Sequence, residues 1–175
     1  MNCPSGGPDV RGTVAGLHRK GEVHGPAATR ERGLAKPAVD AIDVSVAGVA
    51  GDHNHYRTTK LAGDPDSAVL LLPVEVLEAL RAEGWDVGPG DLGENVATRG
   101  VPYEAMAPGA RVELGEVCLV IARACQPCTQ LYHLPGVGAK RGPAFLRAMV
   151  GRRGWYARVE RGGRVRVGDA VRVGP

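Results

Sequence analysis

Apolar residues along this chain come in short runs, broken by glycine, proline and polar turns, and that pattern predicts many short strands and few helices. Alternation is clearest over residues 38–46. Ile42, Val44 and Val46 fall on one face there, Asp43 and Ser45 on the other, as in a half-buried strand. Residues 67–72, apolar throughout after Ser67, and the unbroken apolar run 117–122 predict fully buried strands. Residues 110–114 and 116–123 flank Gly115 and predict an antiparallel hairpin. Residues 155–160 and 164–167 flank Arg161-Gly162-Gly163 and predict another, with a last strand over 170–173. Residues 10–18 predict a first strand. Residues 19–36 are polar, carry Gly21, Gly25, Pro26 and Gly33, and predict a surface loop. Two stretches have helical spacing. In 73–83, Val76, Leu77 and Leu80 share a face, Pro73 suits the first turn and Gly84 the stop. In 143–153, Phe145, Leu146 and Met149 share a side. Seven or more short strands and two helices, without β–α–β alternation, predict a mostly β fold: an antiparallel β-barrel with about two helices.

Composition narrows this only a little. The chain has 175 residues, enough for one domain with a real core. We assign residues 1–9 to a flexible Pro/Gly-rich N-terminus and 10–175 to the domain. A net charge of +3 is far from the basic footprint of a nucleic-acid binder. No stretch approaches the roughly 20 apolar residues of a membrane span, and the first residues lack a secretory pattern. The expected location is the cytoplasm, where Cys3, Cys118, Cys125 and Cys128 are expected to be reduced thiols, ligands or catalytic groups, not structural bridges.

The candidate chemistry centres on the turn after the run at 117–122. Arg123, Cys125, Gln126, Pro127 and Cys128 follow in quick succession, and Pro127 ends any ladder there. Guanidinium charge favours thiolate, the reactive form of cysteine. The pair Cys125 and Cys128 admits a redox dithiol, a zinc site completed by His53 and His55, or buried thiols without a role. His53 and His55 are two apart, so an extended chain points both the same way. Asp52 and Arg57 lie close by in sequence. Residues 88–95 form a Gly-rich loop that lacks a phosphate-loop lysine and delivers Glu94 and Asn95. Each of these also has a plain reading: the histidines as a solvated pair, Asn95 as a turn residue, Arg152-Arg153 as the basic end of a helix.

Several segments, in order, resemble the MOSC domain family, named for the C-terminal domain of molybdenum cofactor sulfurase. They are Gly48-Val49-Ala50-Gly51-Asp52-His53, Ala68-Val69-Leu70-Leu71 before a helix, Leu92-Gly93-Glu94-Asn95, Gln126-Pro127-Cys128 with Leu131, Arg153-Gly154-Trp155-Tyr156-Ala157-Arg158-Val159, and Val167-Gly168-Asp169. The resemblance runs from about Gly12 to Val173. It implies a barrel-like β fold, bound molybdenum cofactor (molybdopterin), and Cys128 as catalytic residue and molybdenum ligand. Some members reduce N-hydroxylated compounds; others are sulfur carriers holding a persulfide on the matching cysteine. A non-catalytic module that binds the pterin or an oxyanion is the third reading. Pyridoxal phosphate belongs to the sulfurase's separate N-terminal domain and is not expected here. The chain has no flavin or iron–sulfur motif, so a redox role implies an external electron donor, and a carrier role a sulfur-donor protein. A pterin's phosphate calls for cations and its ring for amides. Asn95, Arg57, Lys60, Arg123, His53 and Arg153 are the candidate cofactor-binding residues, with Lys140 and Arg152 as further cations. The remaining partner expected is a small-molecule substrate, with neither nucleic acid nor membrane.

Overall fold

The structure, a computed structural model, describes residues 19–29, 34–53 and 63–175. Seven strands close into a barrel: β1 (Arg19–Pro26), β4 (Val69–Pro73), β5 (Val96–Arg99), β6 (Arg111–Leu114), β7 (Val117–Ala124), β8 (Trp155–Arg161) and β10 (Ala170–Gly174). Their order around the barrel is β1-β10-β6-β7-β8-β4-β5, and β5 pairs back onto β1. Three further strands, β2 (Ala41–Ser45), β3 (Gly48–Val49) and β9 (Gly163–Arg166), form a small sheet in the order β3-β2-β9. Helix α1 spans Val74–Ala82 and helix α2 spans Gly138–Met149.

The mostly β fold with a barrel and two helices is the one the apolar pattern predicts, and the differences lie in local detail. The strand expected at 10–18 lies outside the described residues. The stretch from Arg19 to Pro26, expected as loop, is a barrel strand that pairs with both β10 and β5. Its glycines and Pro26 hide it from a periodicity reading, and of its described residues Val23 and Pro26 are buried. β5 is likewise absent from the expectation, being four residues long with no alternation. It runs parallel to β4, with Leu71 opposite Val96. α1 supplies the crossover that a parallel pair requires, so the barrel contains one β–α–β unit after all.

The hairpin expected around Arg161-Gly162-Gly163 does not form. β9 leaves β8 and pairs with β2, Val44 opposite Gly163 and Ile42 opposite Val165. Gly162 permits the departure: a Cβ there would sit 2.5 Å from the Val44 carbonyl oxygen. The hairpin of β6 and β7 is as expected, Leu114 opposite Val117. β2 ends at Ser45, so Val46 is exposed instead of sharing the face of Ile42 and Val44. α2 begins five residues before Pro143, which sits inside the helix.

Two apolar cores share β4. Val69 and Leu71 point into the barrel with Val96, Val112, Leu119, Ile121, Ala157 and Val171. Leu72 points outward into a second core with Leu77, Leu80, Leu92, Leu131, Phe145 and Met149. A strand buried on both faces has no polar side to show, which accounts for its unbroken apolar run. Phe145 joins α2 to this second core and meets Trp85 with ring centroids 4.8 Å apart. Phe145→Ala is expected to destabilise the protein by about 3–5 kcal/mol, seen as a lower urea midpoint with an unchanged slope.

Candidate functional site

The site begins with a buried carboxylate. Asp52 follows the turn after β3, and its Oδ1 accepts the backbone N–H of Thr29 at 3.0 Å. Its Oδ2 accepts from Lys36 Nζ at 2.7 Å and from Asn95 Nδ2 at 2.9 Å. The Lys36 and Asp52 side chains are only 5% and 4% exposed. Burial lowers the pKa of the Lys36 ammonium, with the Asp52 carboxylate opposing that shift.

Asn95 is fully buried at the entry to β5. Its backbone N–H donates to the Leu70 carbonyl at 2.8 Å, and its Oδ1 accepts the Leu70 N–H at 3.1 Å. The amide therefore ties β4 to Asp52. The loop before it is closed by Glu94, whose Oε1 accepts the Gly90 N–H at 2.6 Å, while the Gly90 carbonyl accepts the Lys36 N–H at 3.0 Å. Glu94 is fully buried and its Oε2 has no partner. Burial raises its pKa above the ordinary carboxyl range; the Gly90 N–H and the charges of Arg153 and Lys36 act against that. Arg153, 4% exposed, donates from Nη2 to the Leu92 carbonyl, and its Nε and Nη1 have no partner among the described residues. His53 Nε2 is buried and unpartnered too.

The next residue, Gly154, connects this cluster to the cysteine turn. Its carbonyl accepts the Cys125 N–H at 2.8 Å, and its N–H donates to the Tyr103 hydroxyl at 3.1 Å. Tyr103 packs on Trp155 with centroids 5.2 Å apart, and burial raises its phenol pKa. Cys125 is a buried free thiol packed with Leu70 and Tyr156. Cys128 is a half-buried free thiol in extended backbone, at the start of a 3₁₀ turn over Thr129–His133. The Leu131 N–H donates to its carbonyl at 3.1 Å. The arrangement provides cations and unpartnered donors in a buried floor, joined through Gly154 to a turn that leaves one thiol accessible.

The MOSC domain family model matches residues 58–172. The chain belongs to the MOSC domain family. Among solved structures, the MOSC chain is similar to APC1665, the YuaD protein from Bacillus subtilis, with a TM-score of 0.77 and 20% identity over 91% of this chain and 98% of that one. YiiM from Escherichia coli has a TM-score of 0.62 and 21% identity, over 88% of this chain and 69% of that one. YiiM from Geobacillus stearothermophilus has a TM-score of 0.62 and 20% identity, over 87% and 72% respectively. At these identities the likeness is one of fold. No curated protein matches the chain.

Of the residues singled out in this MOSC sequence, the structure gathers Asn95, His53 and Arg153 around the loop and strand ends next to Asp52. Asn95 uses its carbonyl on Leu70 and its amide on Asp52, so here it positions other groups. Arg123 is engaged with Asp64 Oδ2 at 3.1 Å and with the Ser67 hydroxyl, and lies 5.3 Å from the Tyr156 ring centroid. Arg152 holds Glu83 by two bonds of 2.7 and 2.8 Å, and Lys140 is exposed on α2, outside the buried cluster. Arg57, Lys60 and His55 lie outside the described residues, and so does Cys3. Among the described residues, no group of three or more His, Cys, Asp or Glu is placed to hold a metal. No described helix is long and apolar enough to cross a membrane.

Cys118 is disulfide-bonded, against the expectation of a reduced thiol. Bridging depends on which sulfur comes within reach, and spacing along the chain does not fix that. Lys36 and Tyr103 are absent from the sequence reading: Lys36 falls in a polar stretch read as loop, and Tyr103 in a turn after β5. Neither carries a local signal.

Two outcomes test this cluster. Asn95→Leu orphans the Leu70 N–H and removes a donor from Asp52, and is expected to cost about 1–3 kcal/mol in chemical denaturation. The raised Glu94 carboxyl means that the folded state holds its proton more tightly. That contribution is full below the unfolded pKa and lost as pH rises through the folded value. The stability of Glu94→Gln relative to the parent should therefore improve as pH is raised from about 4 to 8, read from urea midpoints at each pH.

Proposed function

We propose that this MOSC protein binds the molybdenum cofactor, with Cys128 as the metal ligand, and reduces N-hydroxylated compounds with electrons from an external donor. The supporting observation is that Gly154, which follows Arg153, holds the Cys125 N–H at the start of the turn carrying the half-exposed Cys128 thiol, while Arg153 Nε and Nη1 and His53 Nε2 lack partners among the described residues. Buried donors without acceptors are costly, and an anionic, polar group relieves them. A pterin phosphate is such a group, and a cysteine thiolate is a suitable ligand for a soft-ligand metal centre.

The bound cofactor supplies two-electron chemistry at the N–O bond. The balance is one N-hydroxyl group, two electrons and two protons giving the N–H compound and water. The chain's own part is positioning. Arg153 and Lys36 hold anionic charge, with Asp52 fixing Lys36 and Asn95 fixing Asp52. Burial makes Glu94 hold its proton more tightly than an exposed carboxyl does. Tyr103 holds Gly154, and Gly154 holds the cysteine turn.

The two free thiols at one turn, Cys125 and Cys128, support a second reading, a sulfur carrier with a persulfide on Cys128. Protein purified from a cofactor-competent host separates the two. On the first reading it carries molybdenum and a pterin by elemental analysis and native mass spectrometry. Cys128→Ser then loses the metal and at least about 100-fold in N-hydroxyl reduction, beyond the usual effect of losing an outer-shell partner. A labile one-sulfur adduct without metal, absent in Cys128→Ser, selects the carrier. Neither metal nor adduct refutes both.

A further inference from the structure

Charge along the chain is uneven. Between Glu116 and Glu160 there is no acidic residue, although the stretch holds the cysteine turn, α2 and much of β7 and β8. Most of its cations have work inside the fold. Arg123 pairs with Asp64, Arg152 with Glu83 and Arg158 with Asp66, and Arg153 is buried. Arg141 stacks over Trp85 at 4.3 Å and donates to the Gly84 carbonyl. Lys140 and Arg147 remain. Both are exposed, and neither makes an ion pair among the described residues. They lie seven positions apart on α2, so two turns of helix bring them onto one face, opposite buried Gly142, Phe145 and Met149.

The same face is not purely charged. Ala144 and Pro143 are exposed between the two cations, and at the helix end Val150 is 67% exposed, one of few large apolar side chains in that position. A small apolar patch flanked by unpaired cations suits a transient complex with an acidic protein: the charges steer encounter, and the patch supplies contact. α2 is also tied closely to the reactive turn. Gly142 packs so tightly on Tyr132 of the 3₁₀ turn that a Cβ would come within 2.3 Å of the ring. That turn begins immediately after Cys128.

We infer that the exposed face of α2, centred on Lys140 and Arg147, docks an acidic electron-transfer protein that delivers electrons to the site behind the Cys128 turn. This rests on the reductase reading for what the docking accomplishes. Two donor molecules each give one electron, and the N–O bond breaks with uptake of two protons and release of water.

The experiment uses an acidic flavodoxin, reduced to its hydroquinone, as the probe. Its binding to the intact holoprotein is measured by calorimetry at low and high salt, and N-hydroxyl reduction is measured with flavodoxin or with dithionite-reduced methyl viologen as donor. Wild-type binding should weaken at least about tenfold as salt rises, because exposed charges are screened. Lys140→Glu with Arg147→Glu should weaken binding and flavodoxin-driven turnover about tenfold or more at low salt, and leave viologen-driven turnover within about twofold. Lys140→Gln with Arg147→Gln should fall between. The equally charge-reversed Lys20→Glu with Arg166→Glu, on β1 and β9, should behave as wild type. The inference is overturned if wild type shows no salt-sensitive binding, if the α2 variant matches wild type, or if the control loses as much. Stronger, α2-dependent binding of an RNA oligomer or phosphatidylglycerol vesicles also overturns it. If viologen drives no turnover in wild type, the reductase reading fails, while binding still decides the docking surface.

Discussion

Burying a carboxylate is costly unless its oxygens are filled, and the centre of this protein is organised by how Asp52 meets that demand. Its three donors come from residues 29, 36 and 95, the last far from the other two in sequence. Satisfying one carboxylate thus brings together the chain after β1, the loop before β2 and the entry to β5. Asn95 carries the constraint onward, since its own carbonyl oxygen takes the Leu70 N–H on β4. The second core lies directly behind, with Leu72 and Leu92 among its members. A polar network and an apolar core therefore fix the same strand ends from two sides.

What that network leaves unfilled is as informative as what it fills. The side-chain polar atoms of Asp52 and Asn95 all have partners, whereas Arg153, His53 and Glu94 each retain a buried atom without one among the described residues. The filled groups hold the frame together. The Cys128 turn is set on the same frame through Gly154, whose two backbone groups are held by Tyr103 and Cys125. The thiol is thereby left half exposed at the end of a strand that is itself part of the barrel wall. The side chains of Lys36, Asp52 and Arg153 are by contrast almost fully buried.

The outline of the fold was legible because it rests on local patterns. Runs such as 67–72, and the pair of runs around Gly115, report burial directly. The MOSC membership followed from short segments in a fixed order, later matched by the family model over residues 58–172. The errors came where local pattern and tertiary pairing part. β1 is glycine-rich and carries little alternation, yet two neighbours complete its ladder. The Arg161-Gly162-Gly163 signal was real as a break in the chain, but the strand after it found β2 in place of β8. The Cys118 bridge was invisible for a similar reason, since spacing does not say which sulfurs meet.

The sequence by itself determined the fold class, the two helices, the family, and the turn that presents Cys128, since each of these depends on residues close together along the chain. Only the tertiary structure decided that Lys36 is buried against Asp52, that Asn95 serves as a brace, that Arg123 is spent on Asp64 and that Arg153 keeps free donors. Such roles depend on which polar atoms are filled by distant partners. A side chain's type shows what it can donate or accept, but the long-range pairing of strands settles what remains for a ligand.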